Sequence, residues 1–293
     1  TVSLKTFLGE VPVETTTWVK PNGDTVKMEM SMMGIPFEML ACSKTVALAK
    51  NDPSDLMDQT LVSVAERIDT SADSILYRLT AAGQGGNPVA EIPQTSIQRV
   101  EGQDNGATLL RVTRLSAVRP APPPVELTPA ERTLYLAATP ILDYEDPEVA
   151  KLVRQAAGDE KDPRKLMSRL REFVSDYIDN KSLGVGFATA GEVARSREGD
   201  CTEHGVLLAA LGRGAGIPTR LATGLVYTDQ FNHRRNVFVG HLWTQFFVEG
   251  AWVDQDAALR QGDVDPTHIT LSVNPASDTG VADLVGSLWL TLG

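Results

Sequence analysis

Residues 197–205 read REGDCTEHG, placing Cys201, one of two cysteines in the chain, between an acidic pair with glycine and an acidic pair with histidine. A structural cysteine sits among apolar neighbours, whereas a thiol flanked by charge at a helix start becomes reactive. Asp200 followed three residues later by Glu203 has the reciprocal capping-box spacing, so Asp200 is predicted as the N-cap and Cys201 as the first helical residue. The unpaired backbone N–H groups and the dipole at that position favour negative charge and hence the thiolate. The competing reading is that a small residue simply fits there, and a base partner must decide between the two.

Four histidines are available: His204, His233, His241 and His268. His241 opens HLWTQFFVEGAWVDQDA, which reads as two strands joined across Glu249 and Gly250. A two-residue loop pairs Val248 with Ala251 and Trp243 with Asp256. His241 and Asp256 then share a face as diagonal neighbours, roughly 7 Å apart between Cα atoms and close enough for a side-chain hydrogen bond. A carboxylate in that place orients the imidazole and stabilises its charged form. A register slip of one residue separates the two onto opposite faces. With the thiol, the set is Cys201, His241 and Asp256, the pattern of nucleophile, base and orienting acid. The remaining candidates read as structural. Glu203 is spent on the cap, His204 lies on the same helix, and Asp265 and His268 in DVDPTHI stand at a turn and strand start. Trp243 and Trp252 read as core or cleft wall, and DQFNHRR, residues 229–235, as a polar hairpin tip or lid. Cys201, His204 and His241 offer three zinc-type ligands, but no second metal-like motif accompanies the helical C-x-x-H, and no loop has calcium-ligand spacing. No metal or cofactor is expected.

These side chains need a scaffold, and 293 residues at 42% hydrophobic content suffice for two domains. A net charge of −11 argues against nucleic-acid and anionic-lipid partners. There is no run of 18 apolar residues, so no membrane segment is expected. The chain opens at Thr1 without a charged-then-apolar leader, as a mature or trimmed form does, and the compartment stays open on composition alone. Residues 1–118 read as a β-rich domain: VETTTWVKPNGDTVKMEMSM is a hairpin with Asn22 and Gly23 supplying positive φ, and TLVSVAERI, SILYRLTA and ATLLRVTRL follow as strands between GQGGNP and GQDNG. RPAPPPVELTPAER, with five prolines from Pro120 to Pro129, reads as an extended linker over 119–129. Residues 130–293 then open with helices at Asp146-Pro147, Asp162-Pro163 and Thr189, before Cys201, and close with strands over TRLATGLVYT, VFVGHLWTQFFVE and AWVDQDA. The fold class is α+β, helices packed on an antiparallel sheet and preceded by a β-rich domain. Cys42, in FEMLACSKTVALA, is expected to be an unpaired small hydrophobe without a chemical role.

VGFATAGEVARSREGDCTEHGVLLAALGRGAGIPTRLATGLVY followed by GHLWTQFFVEGAWVDQDA resembles the transglutaminase-like superfamily, a papain-like cysteine fold, in its bacterial form. The resemblance runs over about residues 130–270. GDC opens a helix, GIPTR enters a strand, a histidine begins the next strand and WVxxD lies on the one after. Gly205 stands where the family often has alanine, and DAAL where DPT is common. The resemblance implies that Cys201 is the nucleophile, His241 the general base and acid, and Asp256 its orienting residue, acting on a peptide or protein amide by hydrolysis or transamidation. It also favours a periplasmic or secreted bacterial setting. The rival expectation, from another class, is a non-catalytic scaffold built on the same fold.

Overall fold

The computed structural model describes residues 2–8, 11–32, 35–47, 61–80, 92–119, 123–180 and 188–277. Contacts gather the chain into two compact units, residues 1–59 and 60–292.

The first unit is an antiparallel meander of β1 (Val2–Leu8), β2 (Val11–Val19), β3 (Thr25–Met32) and β4 (Ile35–Leu40), followed by one helical turn, α1 (Lys44–Ala47). The β2–β3 hairpin turns at the expected residues. Gly23 takes a φ of 89° and donates its N–H to Lys20 O at 2.9 Å. Asn22 acts differently from expectation: it stays out of the positive-φ region and shapes the turn by accepting Asp24 N–H on its side-chain oxygen at 3.2 Å. Cys42 is a free cysteine, as expected, but it is exposed rather than packed as a hydrophobe.

The second unit runs β5 (Val62–Ser63), β6 (Ser74–Leu79), β7 (Gln98–Asp104), β8 (Ala107–Thr113), then helices α2 (Pro129–Leu136), α3 (Pro147–Ala157), α4 (Pro163–Tyr177), α5 (Ala190–Ser196) and α6 (Cys201–Gly214), and finally β9 (Thr219–Phe231), β10 (Arg234–Val248), β11 (Ala251–Gln255) and β12 (Ile269–Asn274). The expected helices begin where side-chain caps meet the orphan N–H groups: Asp146 accepts from Glu148 N, Asp162 from Arg164 N and Lys165 N, and Thr189 with Glu192 closes a capping box. The proline-rich stretch yields one helix the composition concealed. Thr128 and Glu131 form a capping box with Pro129 at the first helical position, so α2 starts at the end of the expected linker. Pro120, Ala121 and Pro122 lie outside the described residues, as does all of GQGGNP. Among the described residues of TLVSVAERI only Val62 and Ser63 form a strand, and β7, unforeseen, pairs with β8 across a turn in which Asn105 and Gly106 take positive φ.

Sheet order is β11-β10-β9-β12, with β5 on the edge of β10, and a separate sheet runs β6-β8-β7; the pairings are antiparallel. Helix α6 is apolar nearly all round because it is central: Val206 through Leu211 are buried, against Leu152, Leu170 and Val193 of the outer helices and Leu221, Leu242 and Phe246 of the sheet. Buried Arg213 near its end donates to Thr219 O at 3.0 Å and Ala137 O at 2.7 Å, tying helix to sheet. The three-stranded sheet joins the same unit. Leu110 and Val112 share a core with Tyr227, Phe238 and Ile269, and the Gln98 amide exchanges two hydrogen bonds with the Thr270 backbone. The architecture is therefore α+β, helices on an antiparallel sheet, with further β structure N-terminal to them. Among the described residues no helix is long and apolar enough to cross a membrane.

Candidate functional site

Cys201 stands where the capping spacing places it. Asp200 is the N-cap, its carboxylate accepting Thr202 N–H at 2.9 Å while its own N–H donates to Glu203 at 3.0 Å. The glycine of GDC is required by the close approach of this turn to its helix: a Cβ on Gly199 would lie 2.2 Å from Glu203 Cβ. Glu203 does more than the spacing suggests. It is buried, and its second oxygen accepts the N–H of Ala188, so it also ties the start of α5 to α6. Burial, with the Asp200 charge beside it, pushes Glu203 up to about 7. His204 is buried too, with Nδ1 against Asp200 O at 2.6 Å, which is a structural use of the ring.

The β10–β11 hairpin fixes the other two groups. Glu249 and Gly250 take φ of 53° and 78°, the two positive values that a two-residue type I′ loop demands. The register follows, Val248 opposite Ala251 and Thr244 opposite Gln255, as the two-residue loop predicts. His241 and Asp256 fall on one face, and His241 Nε2 meets Asp256 Oδ2 at 2.6 Å with both side chains buried. With Nε2 taken by Asp256, Cys201 is the other group that acts on the His241 ring, through its charge and its side chain. Burial alone disfavours a charged imidazole here, but the Asp256 and Cys201 charges outweigh it and raise His241 well above the ordinary histidine range. Asp256 is held far below the ordinary carboxylate range: burial opposes its charge, and the neighbouring His241 and His268 rings prevail. A half-buried thiol followed by a buried imidazole and carboxylate can store a proton on the ring and release it to a leaving group.

Sequence reasoning missed His268. It is fully buried one residue before β12, and its Nε2 lies 3.1 Å from Asp256 Oδ2. The expected strand start is there, but which face of the sheet it meets depends on how β12 docks on β9. His241, Asp256 and His268 bring three donor atoms within 4.8 Å of one another, a closeness that the hydrogen bonds among them account for. Trp243 is buried beside the site, its indole N–H donated to Asp254 Oδ1 at 2.7 Å and its ring stacked at 6.0 Å on His241. Trp252 lies away from this cluster, against Tyr135, Phe247 and the Arg220 guanidinium. Residues 229–235 form the tip of the β9–β10 hairpin, as expected.

Residues 150–257 match the family model of the transglutaminase-like superfamily. No curated protein matches the chain. Among solved structures, a candidate cysteine protease from Cytophaga hutchinsonii is similar at 14% identity and a TM-score of 0.42, over 73% of this chain and 75% of that one. The periplasmic domain of TgpA from Pseudomonas aeruginosa is similar at 18% identity and a TM-score of 0.39, over 53% of this chain and 54% of that one, so the matched region spans about half of that domain. Cys201, His241 and Asp256 all fall inside residues 150–257, the segment of this chain that is similar to the transglutaminase-like superfamily.

Proposed function

We propose that this protein is a cysteine-dependent acyl-transfer enzyme acting on amide bonds of a peptide or protein. The observation that carries the reading is the buried His241, bonded to Asp256 through Nε2 and raised in its proton affinity by Asp256 and by Cys201 at a helix N-terminus. The Cys201 thiolate attacks the amide carbonyl carbon, forming the C–S bond and moving the π pair to oxygen. Collapse of the tetrahedral intermediate breaks the C–N bond, and His241 delivers its proton to the departing amine. Water or a second amine then attacks the thioester, giving its proton to His241 and releasing the thiolate. The Cys201 backbone N–H, in the first helical turn where no intrahelical acceptor exists, is a candidate donor to the oxyanion. The acceptor, water or amine, decides between hydrolysis and transamidation, and hydrolysis is the favoured assignment. All reacting groups fall within residues 130–293, the segment expected to form the catalytic domain.

Incubation with a peptide library, with and without a primary amine, read by mass spectrometry, tests this. Cleaved or deamidated products without amine, and amine adducts with it, are the expected outcomes, each lost in Cys201→Ala. Absence of any product, together with alkylation of Cys201 no faster than a free thiol, returns the protein to the scaffold class.

A further inference from the structure

His268 has no step in the chemistry above, yet it is buried against the residue that orients His241. Its surroundings define its state. Nε2 faces Asp256 Oδ2 at 3.1 Å, and Nδ1 faces Asp265, with the backbone oxygen at 3.2 Å and the carboxylate Oδ1 at 3.5 Å. All three of these partner oxygens are acceptors only, so each nitrogen must carry a proton and the ring must be an imidazolium. Asp256 is saturated in turn: Oδ2 receives both imidazoles and Oδ1 receives the Leu259 N–H at 2.9 Å.

We infer that His268 is a positioning residue of the site, a buried imidazolium clamped between Asp265 and Asp256 that holds the Asp256 carboxylate in place for His241. The inference rests on the proposed thiol chemistry and deepens it. Asp265 is itself anchored, by Gln261 Nε2 at 2.8 Å and Thr267 N at 2.9 Å, and the Tyr77 hydroxyl reaches over from β6 to Pro266 O. The charged and titratable groups facing His268 are Asp256 and Asp254 from the β11 segment, Asp265 from the following loop and His241 from β10, with the neutral Trp243 ring edge-on at 5.3 Å. The Asp256 and Asp265 carboxylates outweigh the burial that disfavours its charge. A second cation with its ring centroid 6.1 Å from that of His241 has a consequence: it shares Asp256 with His241 and repels the His241 imidazolium, so it keeps His241 from becoming too weak an acid to release its proton.

The test uses iodoacetamide as a probe that needs no substrate, with alkylation followed at the Cys201 peptide by mass spectrometry across pH. In wild type the rate should be high and should show two inflections, the upper one marking loss of the His241 proton. H268Q keeps a donor for Asp256 but removes the charge, and should move the upper inflection to higher pH by about one unit. D265N should move it the same way by less. A superimposable upper inflection in H268Q overturns the inference while leaving the thiol chemistry intact, whereas a wild-type rate equal to that of a free thiol overturns the chemistry instead. The ¹⁵N spectrum of the wild-type histidine rings tests the clamp without any variant: two protonated nitrogens on His268 at neutral pH support it, and a neutral ring overturns it.

Discussion

Asp256 shares one oxygen between two imidazoles while its other oxygen is taken by a backbone N–H, so no rotation of the carboxyl is free of cost. Asp256→Asn keeps the shape but presents an amide that cannot accept at every contact. It should lower kcat/KM by about 10² to 10⁴, measured on whichever peptide the library selects, with circular dichroism unchanged. Glu203→Gln should cost far less, because its one amide oxygen still accepts the Asp200 N–H and closes the cap, and only the Ala188 N–H, on the other carboxylate oxygen, loses its acceptor. Equal losses in the two variants would mean that the orienting acid has been misassigned. Wild-type kcat/KM should fall at high pH, as His241, whose proton is held beyond the ordinary histidine range, finally loses it and can no longer deliver it to the departing amine. Cys42→Ala, changing an exposed thiol of the other unit, should leave the profile unchanged.

At the scale of elements, two close approaches hold the site together. Gly224 on β9 lets β12 pair directly beside it, since a Cβ there would stand 1.9 Å from Ile269 O. Gly224→Ala must push β12 away, and with it the segment bearing His268. The expected loss is about 3 kcal/mol or more, measured by denaturant unfolding. The β10–β11 hairpin is the second. Gly250 has φ of 78°, and a Cβ on it would meet Pro124 Cβ at 2.5 Å. Gly250→Val therefore adds strain to contact, and the expected result is a lower Tm together with slower Cys201 alkylation, because a disturbed register separates His241 from Asp256. Melting without any change in alkylation of the folded fraction would show that the register is held by the sheet rather than by the loop.

For the molecule as a whole, the buried site makes stability depend on pH in two directions. Asp256 and Asp265 have folded values depressed below their unfolded ones, so their contribution is present above about pH 4 and is lost as pH falls below it. His241 and His268 have raised folded values, so theirs is complete below about pH 6.5 and is lost as pH rises through the folded values. Glu203, up to about 7 when folded, binds its proton more tightly in the native state, which also favours the fold on the acid side of 7. The Glu203 contribution is complete below about pH 4.5 and is lost as pH rises toward 7, so the three effects overlap best near about pH 4.5 to 5, where thermal melts should show the highest Tm. Glu203→Gln should flatten the decline toward neutral pH. A Tm rising steadily from pH 5 to 8 would contradict these assignments.

Local rules made much of this protein legible in its sequence. Capping spacing determined that Cys201 opens a helix, and a two-residue loop with constant-sum pairing determined that His241 and Asp256 share a face, because both depend on backbone geometry within a few residues. The caps at Asp146, Asp162 and Thr189 were readable for the same reason, whereas α2 was concealed because a proline-rich composition masked a capping box at Thr128. What only the tertiary structure decided is long-range. The docking of β6-β8-β7 onto β9 and β12 follows from matching apolar faces far apart in the chain, which no local pattern specifies. The exposure of Cys42 depends on which neighbours cover an apolar-looking segment. Glu203 read as a cap, and its burial came from packing against the turn before α5. His268 read as a strand start, and its place on Asp256 was set by the antiparallel docking of β12 on β9, a pairing between segments some forty residues apart.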